Sequence, residues 1–216
     1  LIAAIIGRPR DSYYGLFQPG NSAIAISPET ELRTQNLPEN ILTTSVKGMK
    51  RIGKNQKGLK LSMVDATKPR QRQNFEVLTD VAYRIDCWID DEEAYNELKS
   101  HLEAETAVYT PALGLSEFLA TIEYHGEFIP ESLHMGSPVT VTSTVPGGTR
   151  SIVPSAGTTA TIERMPAVME TTNPRGSDGP GRRTTTYVDI VVEQNGHDLQ
   201  TTAPAATVDD RNVVFL

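Results

Sequence analysis

The stretch "VAYRIDCWIDDEEAYNELKSHLEAE", residues 81–105, decides the fold prediction because two kinds of periodicity follow one another in it. Its first half alternates apolar with mostly polar side chains, as a half-buried strand does. The apolar positions are Val81, Tyr83, Ile85, Cys87 and Ile89. Its second half opens with four acidic residues, which favour a helix N-terminus, and then places Tyr95, Leu98 and Leu102 on one helical face. The sequence therefore predicts a strand followed at once by a helix.

The segments on either side extend this strand–helix pair. Leu1 to Ile6 is typical of the end of a buried helix, stopped by Gly7 and Pro9, and 21–27 is typical of a short strand. "FLATIEYHGEF", residues 118–128, is predicted to be another strand. With a first strand expected before residue 1, the order becomes β-α-β-insertion-β-α-β, which is that of a ferredoxin-like (RRM-like) core.

The predicted fold class is therefore α+β. The ferredoxin-like domain spans 1–136, with a polar, basic insertion at about 29–73. The remainder, 137–216, is rich in Thr, Val, Pro and Gly and is predicted to be a small C-terminal β region.

The charge of the chain is unevenly distributed. The net charge is -7 and the pI is near 5.1, which alone would argue against nucleic-acid binding. However, nine basic residues and one acid lie between Lys47 and Arg72, whereas fourteen acids and two bases lie between Glu76 and Glu131. The average thus hides a concentrated basic segment. After Lys99 the chain has no lysine while acids stay abundant, which fits a protein of a salt-rich cell; an ordinary acidic mesophilic protein is the alternative.

Cys87 is the only cysteine, which excludes a disulfide framework and a cysteine-built zinc site and favours a reducing cytoplasm. The apolar opening "LIAAII" is too short to span a bilayer, so no membrane association is predicted.

The basic segment "SVKGMKRIGKNQKGLK", residues 45–60, resembles a phosphate-binding loop only superficially. Gly48, Gly53 and Lys54 have the required spacing, but Asn55 stands where Ser or Thr would hold magnesium. A cationic path along RNA is the better interpretation, and a solvated surface loop is the alternative. The candidate RNA-binding residues here are Lys47, Lys50, Arg51, Lys54, Lys57 and Lys60, joined by Arg70 and Arg72 of "KPRQRQNF".

A second candidate lies in "GRPRDSYYGLF", residues 7–17, where arginines and aromatic residues are interleaved. Arg8, Arg10 and Tyr13 are predicted to contact RNA by phosphate pairing and base stacking. The alternative is that the rings pack a corner between helix and strand.

No catalytic residue, metal ligand or cofactor is predicted. The four histidines show no metal-ligand spacing. A metal-independent ribonuclease could use His134 with Tyr13, but their spacing does not select them.

Two segments carry a resemblance to a known family. "YTPALGLSEFLATIEYHGEF", residues 109–128, with the preceding "QNFEVLTDVAYRIDCWIDDEE", resembles the CRISPR-associated Cas five family of the RAMP superfamily. The likeness is closest to the subtype I-B version, and the acidic composition fits a haloarchaeal member. "LIAAIIGRPRDSYYGLF" also looks like the family's first helix, so the resemblance covers 1–27 and 73–130.

The resemblance implies a non-catalytic subunit of a type I CRISPR Cascade surveillance complex in antiviral defence. Such a subunit caps the 5′ handle of the guide RNA, contacts the backbone and large subunits, and meets target DNA only through the complex. The insertion at 29–73 would be its projecting thumb. Two alternatives stay open: an endoribonuclease that processes CRISPR repeat RNA, as in one branch of the family, and an unrelated ferredoxin-like metabolic or regulatory domain.

Overall fold

A computed structural model describes residues 1–42, 70–131, 133–155, 157–172 and 181–216. Within these ranges strands account for 44% of residues and helices for 11%. The helices are α1 Ile2–Ile5, α2 Glu92–Glu103 and a single 3₁₀ turn at Gly148–Ser151. The strands are β1 Ser22–Pro28, β2 Arg33–Leu42, β3 Arg70–Thr79, β4 Tyr83–Ile89, β5 Leu133–His134, β6 Val139–Val141, β7 Val145–Pro146, β8 Ala160–Thr172, β9 Gly181–Glu193, β10 Leu199–Thr201, β11 Ala205–Val208 and β12 Arg211–Val213.

The chain divides into two compact units, and 1–31 together with 81–216 form the first. In it β1 pairs antiparallel with β4, from Ser22 opposite Ile89 to Pro28 opposite Tyr83. Both helices pack on one face of this pair, where Ile89 joins a core cluster with residues of α1 and α2. Asp91 caps α2, since its Oδ1 accepts a hydrogen bond from the Ala94 N–H at 2.9 Å.

The other face of β1 and its free edge are covered by residues from the C-terminal part of the unit. Ala25 of β1 is fully buried with Val208, Val213 and the half-buried Phe215. Along the edge of β1, the Ile24 carbonyl accepts from the Leu216 N–H at 2.9 Å, and the Ile26 carbonyl accepts from the Thr144 N–H at 2.8 Å.

The remaining strands of this unit form small antiparallel sheets of two or three strands. Their orders are β10-β6, β12-β11-β5 and β7-β9-β8. The pairing of β8 with β9 is the longest and contains irregularities around Pro166 and Val168. A separate core cluster of six buried residues holds these sheets together: Val141, Val145, Val191, Leu199, Ala205 and Val214.

The second unit, 32–80, is described here by one hairpin. β2 and β3 pair over ten positions, from Arg33 opposite Thr79 to Leu42 opposite Arg70. Leu37 pairs with Phe75 on one face of this ribbon, and both side chains are half-buried.

The prediction of an α+β ferredoxin-like (RRM-like) core is wrong: the protein is a mainly-β fold of small sheets. The strand predicted at 118–128 does not form. Its side chains do alternate, with Phe118, Ala120 and Ile122 half-buried and their neighbours exposed. Within the described ranges, however, this segment pairs only through an isolated bridge between Leu119 and Ala112, and alternation without a paired strand makes no ladder. The β-branched C-terminal part meanwhile forms long local pairings, which raise the strand content.

Other predicted elements are confirmed. The helix before Gly7 and the strand near 21–27 correspond to α1 and β1, and the stretch that decided the fold prediction forms β4 and α2. The predicted boundary at 136/137 and the insertion at 29–73 stay predictions. Neither helix among the described residues is long and apolar enough to cross a membrane.

Candidate nucleic-acid interface

The loop that follows α1 begins with a sharp turn at Gly7. Its φ is +68°, and a Cβ at this position would lie 2.7 Å from Cγ1 of Val108. The approach is fixed because the Val108 N–H donates to the Ile5 carbonyl at 3.0 Å. Glycine is therefore required here both by conformation and by space. The loop continues in short turns, such as the one that Leu16 N–H closes on the Tyr13 carbonyl at 3.1 Å.

Three aromatic rings of this loop pack on one another. The Tyr13 ring lies edge-on to Tyr14, with centroids 5.1 Å apart, and edge-on to Phe17 at 6.2 Å. Phe17 also packs against the core beneath α1 and α2. The packing interpretation is therefore confirmed for Phe17, whereas a contact of the half-buried Tyr13 with RNA stays a prediction.

Asp11 fixes the position of Tyr14. The Tyr14 hydroxyl donates to Oδ1 of Asp11. This hydrogen bond raises the pKa of the Tyr14 phenol, whereas the nearby Arg182 acts in the opposite direction. Asp11 has a φ of +65°, a conformation that Asp adopts more readily than most residues. The phenol therefore sits between a carboxylate and a guanidinium.

The two predicted arginines of the loop differ in availability. The Arg8 guanidinium lies 3.1 Å from Oε2 of Glu97 on α2, which occupies one side of it. Nε of Arg10 lies 3.6 Å from Asp11, and 76% of the Arg10 side chain is exposed. Arg10 is the better placed of the two to meet a ligand, because an exposed ion pair is weak and readily exchanged.

The loop and strand β8 together line a polar cleft of about 320 Å³. Its walls are Asp11, Ser12, Tyr14, Gly15 and Gln18 from the loop and Met169, Glu170 and Thr171 from β8. Two further arginines belong to the partner strand β9. Arg182 opposes the rise in the pKa of the Tyr14 phenol. Arg183 lies 3.7 Å from Glu170, and 69% of the Arg183 side chain is exposed.

Sequence reasoning missed the β8 and β9 residues of this site. Arg182 and Arg183 lie about 170 positions from the loop, and no local pattern announces such a contact. Arg164 of β8 was missed as well. Its guanidinium lies 5.1 Å from the centroid of the exposed Tyr187 ring. In "GRRTTTYVDI" every second residue from Arg183 to Asp189 is Arg, Thr, Tyr or Asp, and this is the signal that could have indicated a polar strand face.

The described part of the structure does not place the other predicted RNA-binding residues at this cleft. Lys47, Lys50, Arg51, Lys54, Lys57 and Lys60 lie outside the described residues. Arg70 is the first residue of β3, and its side chain also lies outside the description. Arg72 is exposed on β3, opposite Asn40.

The residues considered for a nuclease each have other partners. Nε2 of His134 lies 3.2 Å from Oγ1 of Thr207, between β5 and β11. Tyr13 belongs to the ring cluster of the loop. In the ranges that the structure describes, no group of three or more His, Cys, Asp or Glu residues is arranged to hold a metal ion.

The "TPALGLSEF" element forms a closed turn. The Leu113 N–H donates to the Phe118 carbonyl at 2.8 Å, and the Phe118 N–H donates to the Leu115 carbonyl at 3.0 Å. Gly114 occupies the left-handed position of this turn, with a φ of +92°. The element thus has a backbone reason for its glycine.

Comparison with models of known protein families gives no match for this chain. No curated protein matches it either.

Proposed function

We propose that this chain binds single-stranded RNA and serves as a non-catalytic subunit of a type I CRISPR Cascade complex, where it holds the 5′ handle of the guide RNA. The proposal takes its biological setting from the resemblance of 1–27 and 73–130 to the Cas five family. The observation that carries it is a cleft lined by Asp11, Tyr14 and Glu170, each of which interacts with an arginine: Arg10, Arg182 and Arg183 respectively.

Single-stranded RNA requires this combination of groups. Its unpaired bases stack on aromatic rings, and its phosphates pair with cations placed along a path. Here the rings of Tyr13 and Tyr14 are half-buried, so they are held in place and still accessible. Arginine suits such a site because its planar guanidinium both stacks and pairs with phosphate in a forked geometry.

The basic segment 45–60 extends the proposal. It follows β2 and precedes β3 in the chain, and its lysines would neutralise further phosphates. In this proposal the same segment contacts the backbone subunit, other surfaces contact the large subunit, target DNA is met only through the complex, and the protein works in the cytoplasm.

The test is RNA binding by the purified chain in high-potassium buffer with chelator. End-labelled CRISPR repeat RNA is compared with an unrelated RNA of equal length. We expect the repeat RNA to be retained uncut, and we expect Arg10→Glu combined with Tyr13→Ser to weaken retention about tenfold or more.

A matched control is Arg33→Glu, at the end of the β2–β3 hairpin farthest from the basic segment. From Arg33 to Leu42 the strand β2 runs over ten residues, roughly 30 Å. Cleavage at a discrete position in the repeat would favour the processing nuclease instead. Equal affinity for both RNAs, or no affinity for either, would contradict the proposal.

A further inference from the structure

The distribution of charge around the cleft constrains what can enter it. Two acidic residues, Asp11 and Glu170, line it, whereas the exposed Arg10 and Arg183, which pair with their carboxylates, are not among the lining residues. A phosphate inside would face two negative charges at short range. The occupant is therefore a group that donates hydrogen bonds, and the anionic groups attached to it would lie outside, near the arginines.

Size and walls narrow the choice further. At about 320 Å³ the cleft is at the lower end of the range of about 300–1,000 Å³ for small-molecule sites. Tyr14 lines the cleft, and its ring is held by an edge-on contact with Tyr13. A flat, hydrogen-bonding ring that stacks on a tyrosine matches this arrangement, and RNA offers such rings on unstacked bases.

We propose that the cleft binds one unstacked guanine of the RNA, with its ring against Tyr14 and its N1–H and N2–H groups donating to the carboxylate of Glu170. This inference deepens the proposed function and rests on it. The phosphates on either side of the base then lie against Arg10 and Arg183.

Glu170 is the reader because its carboxylate is the more available of the two. Asp11 accepts the Tyr14 hydroxyl, and only 11% of its side chain is exposed. Glu170 is 52% exposed, and its single described ion pair, with Arg183, is 3.7 Å long. Such a pair contributes little and can be exchanged for a ligand.

Guanine is selected because two adjacent donors match the two oxygens of one carboxylate. Adenine and cytosine each present a single donor beside an acceptor, which would face a carboxylate oxygen and be repelled. Uracil presents one donor between two acceptors. Only guanine therefore makes two parallel hydrogen bonds to this carboxylate, and a base that presents an acceptor there loses at least one of them.

The experiment uses the full chain and nine-nucleotide oligouridines whose central base is guanine, inosine, adenine, cytosine or uracil. Fluorescence anisotropy gives the dissociation constants. We expect the guanine oligomer to bind about tenfold more tightly than the inosine oligomer, which lacks only the N2 amino group.

Variants assign the preference to the cleft. Glu170→Gln is expected to abolish it, because the amide offers one acceptor only. Tyr14→Phe is expected to keep it, since the ring remains. The matched control is Glu163→Gln, an exposed glutamate on the same strand that does not line the cleft. Its preference for guanine should equal that of the unaltered chain.

The outcomes separate this inference from the proposed function. Equal binding of all five oligomers, or a guanine preference that survives in Glu170→Gln, overturns the inference and leaves RNA binding in place. Failure of every oligomer to bind overturns both. A Glu170-dependent affinity for an arginine-rich peptide, with no guanine preference, would mean that the cleft takes a cationic protein segment, and that result also overturns the inference.

Discussion

Asp86 is the residue whose replacement most directly tests how β4 is attached to the C-terminal part of the first unit. Its side chain is 10% exposed and lies between two arginines. Oδ2 of Asp86 accepts from Arg211 at 3.1 Å, and Oδ1 lies 3.7 Å from Nε of Arg84. Arg84 has a second acid in Asp209, at 2.7 Å. Among the described residues, Asp86 is the one acid paired with Arg211. The buried Nε of Arg211 has no hydrogen-bond partner among them.

The expected magnitude follows from this asymmetry. Asp86→Ala leaves Arg211 as a mostly buried charge without its acid, and breaking a buried pair in this way costs about 3–5 kcal/mol. Because the Arg211 side chain keeps 20% exposure, water compensates in part, and we expect a loss of roughly 2–4 kcal/mol in the free energy of unfolding. For a chain of this size, that corresponds to a fall of roughly 4–16 °C in melting temperature.

Urea unfolding followed by circular dichroism measures this loss, with Asp90→Ala as the matched control. Asp90 is exposed at the end of β4, and its removal should change stability by less than about 0.5 kcal/mol. The double variant Asp86→Leu with Arg211→Met replaces the pair by apolar side chains and should regain most of the loss. A loss below about 1 kcal/mol in Asp86→Ala, or a double variant no more stable than the single one, would refute the reasoning.

Two smaller changes test other parts of the same unit. Gly7→Ala should destabilise the protein by roughly 1–3 kcal/mol, because φ is +68° and the new Cβ would overlap Val108. The control in the same denaturation assay is Gly15→Ala, whose new Cβ would meet nothing within 4 Å. Equal losses of stability in both variants would contradict the explanation. Cys87 should react with iodoacetamide at pH 8 about a hundredfold more slowly in the folded protein than after unfolding. The reason is that burial raises the pKa of its thiol to about 11 and leaves little thiolate. Rapid labelling of the folded chain would show that the thiol is not shielded.

The parts of the fold that the sequence predicted correctly are those with local causes. The alternation from Val81 to Ile89 predicts β4, and the acidic residues that follow predict the N-terminus of α2, where Asp91 is the cap. Gly7 likewise ends α1 for a reason contained in its own backbone.

The errors concern pairing at a distance. The segment 118–128 has strand-like alternation, but whether a strand forms depends on a neighbour that alternation does not specify. The cleft poses the same difficulty: Tyr14 and Glu170 are 156 positions apart, so the loop could be recognised as a candidate site while its opposite wall could not. Arg182 and Arg183 follow a run rich in Gly and Pro, which is typical of a flexible connection, yet they belong to β9.

The way β1 is enclosed has a consequence for biosynthesis. The side chains that bury Ala25, Val208 and Val213, are translated more than 180 positions after it. Until then one face of β1 is uncovered, and the edge that will accept the Thr144 and Leu216 N–H groups is open. An incomplete nascent chain therefore presents an unpaired strand of the kind that recruits chaperones or mispairs. Slow elongation through the Thr-rich region would prolong that exposure. A chain truncated before Val208 should give far less folded protein than a chain from which residues 45–60 are deleted.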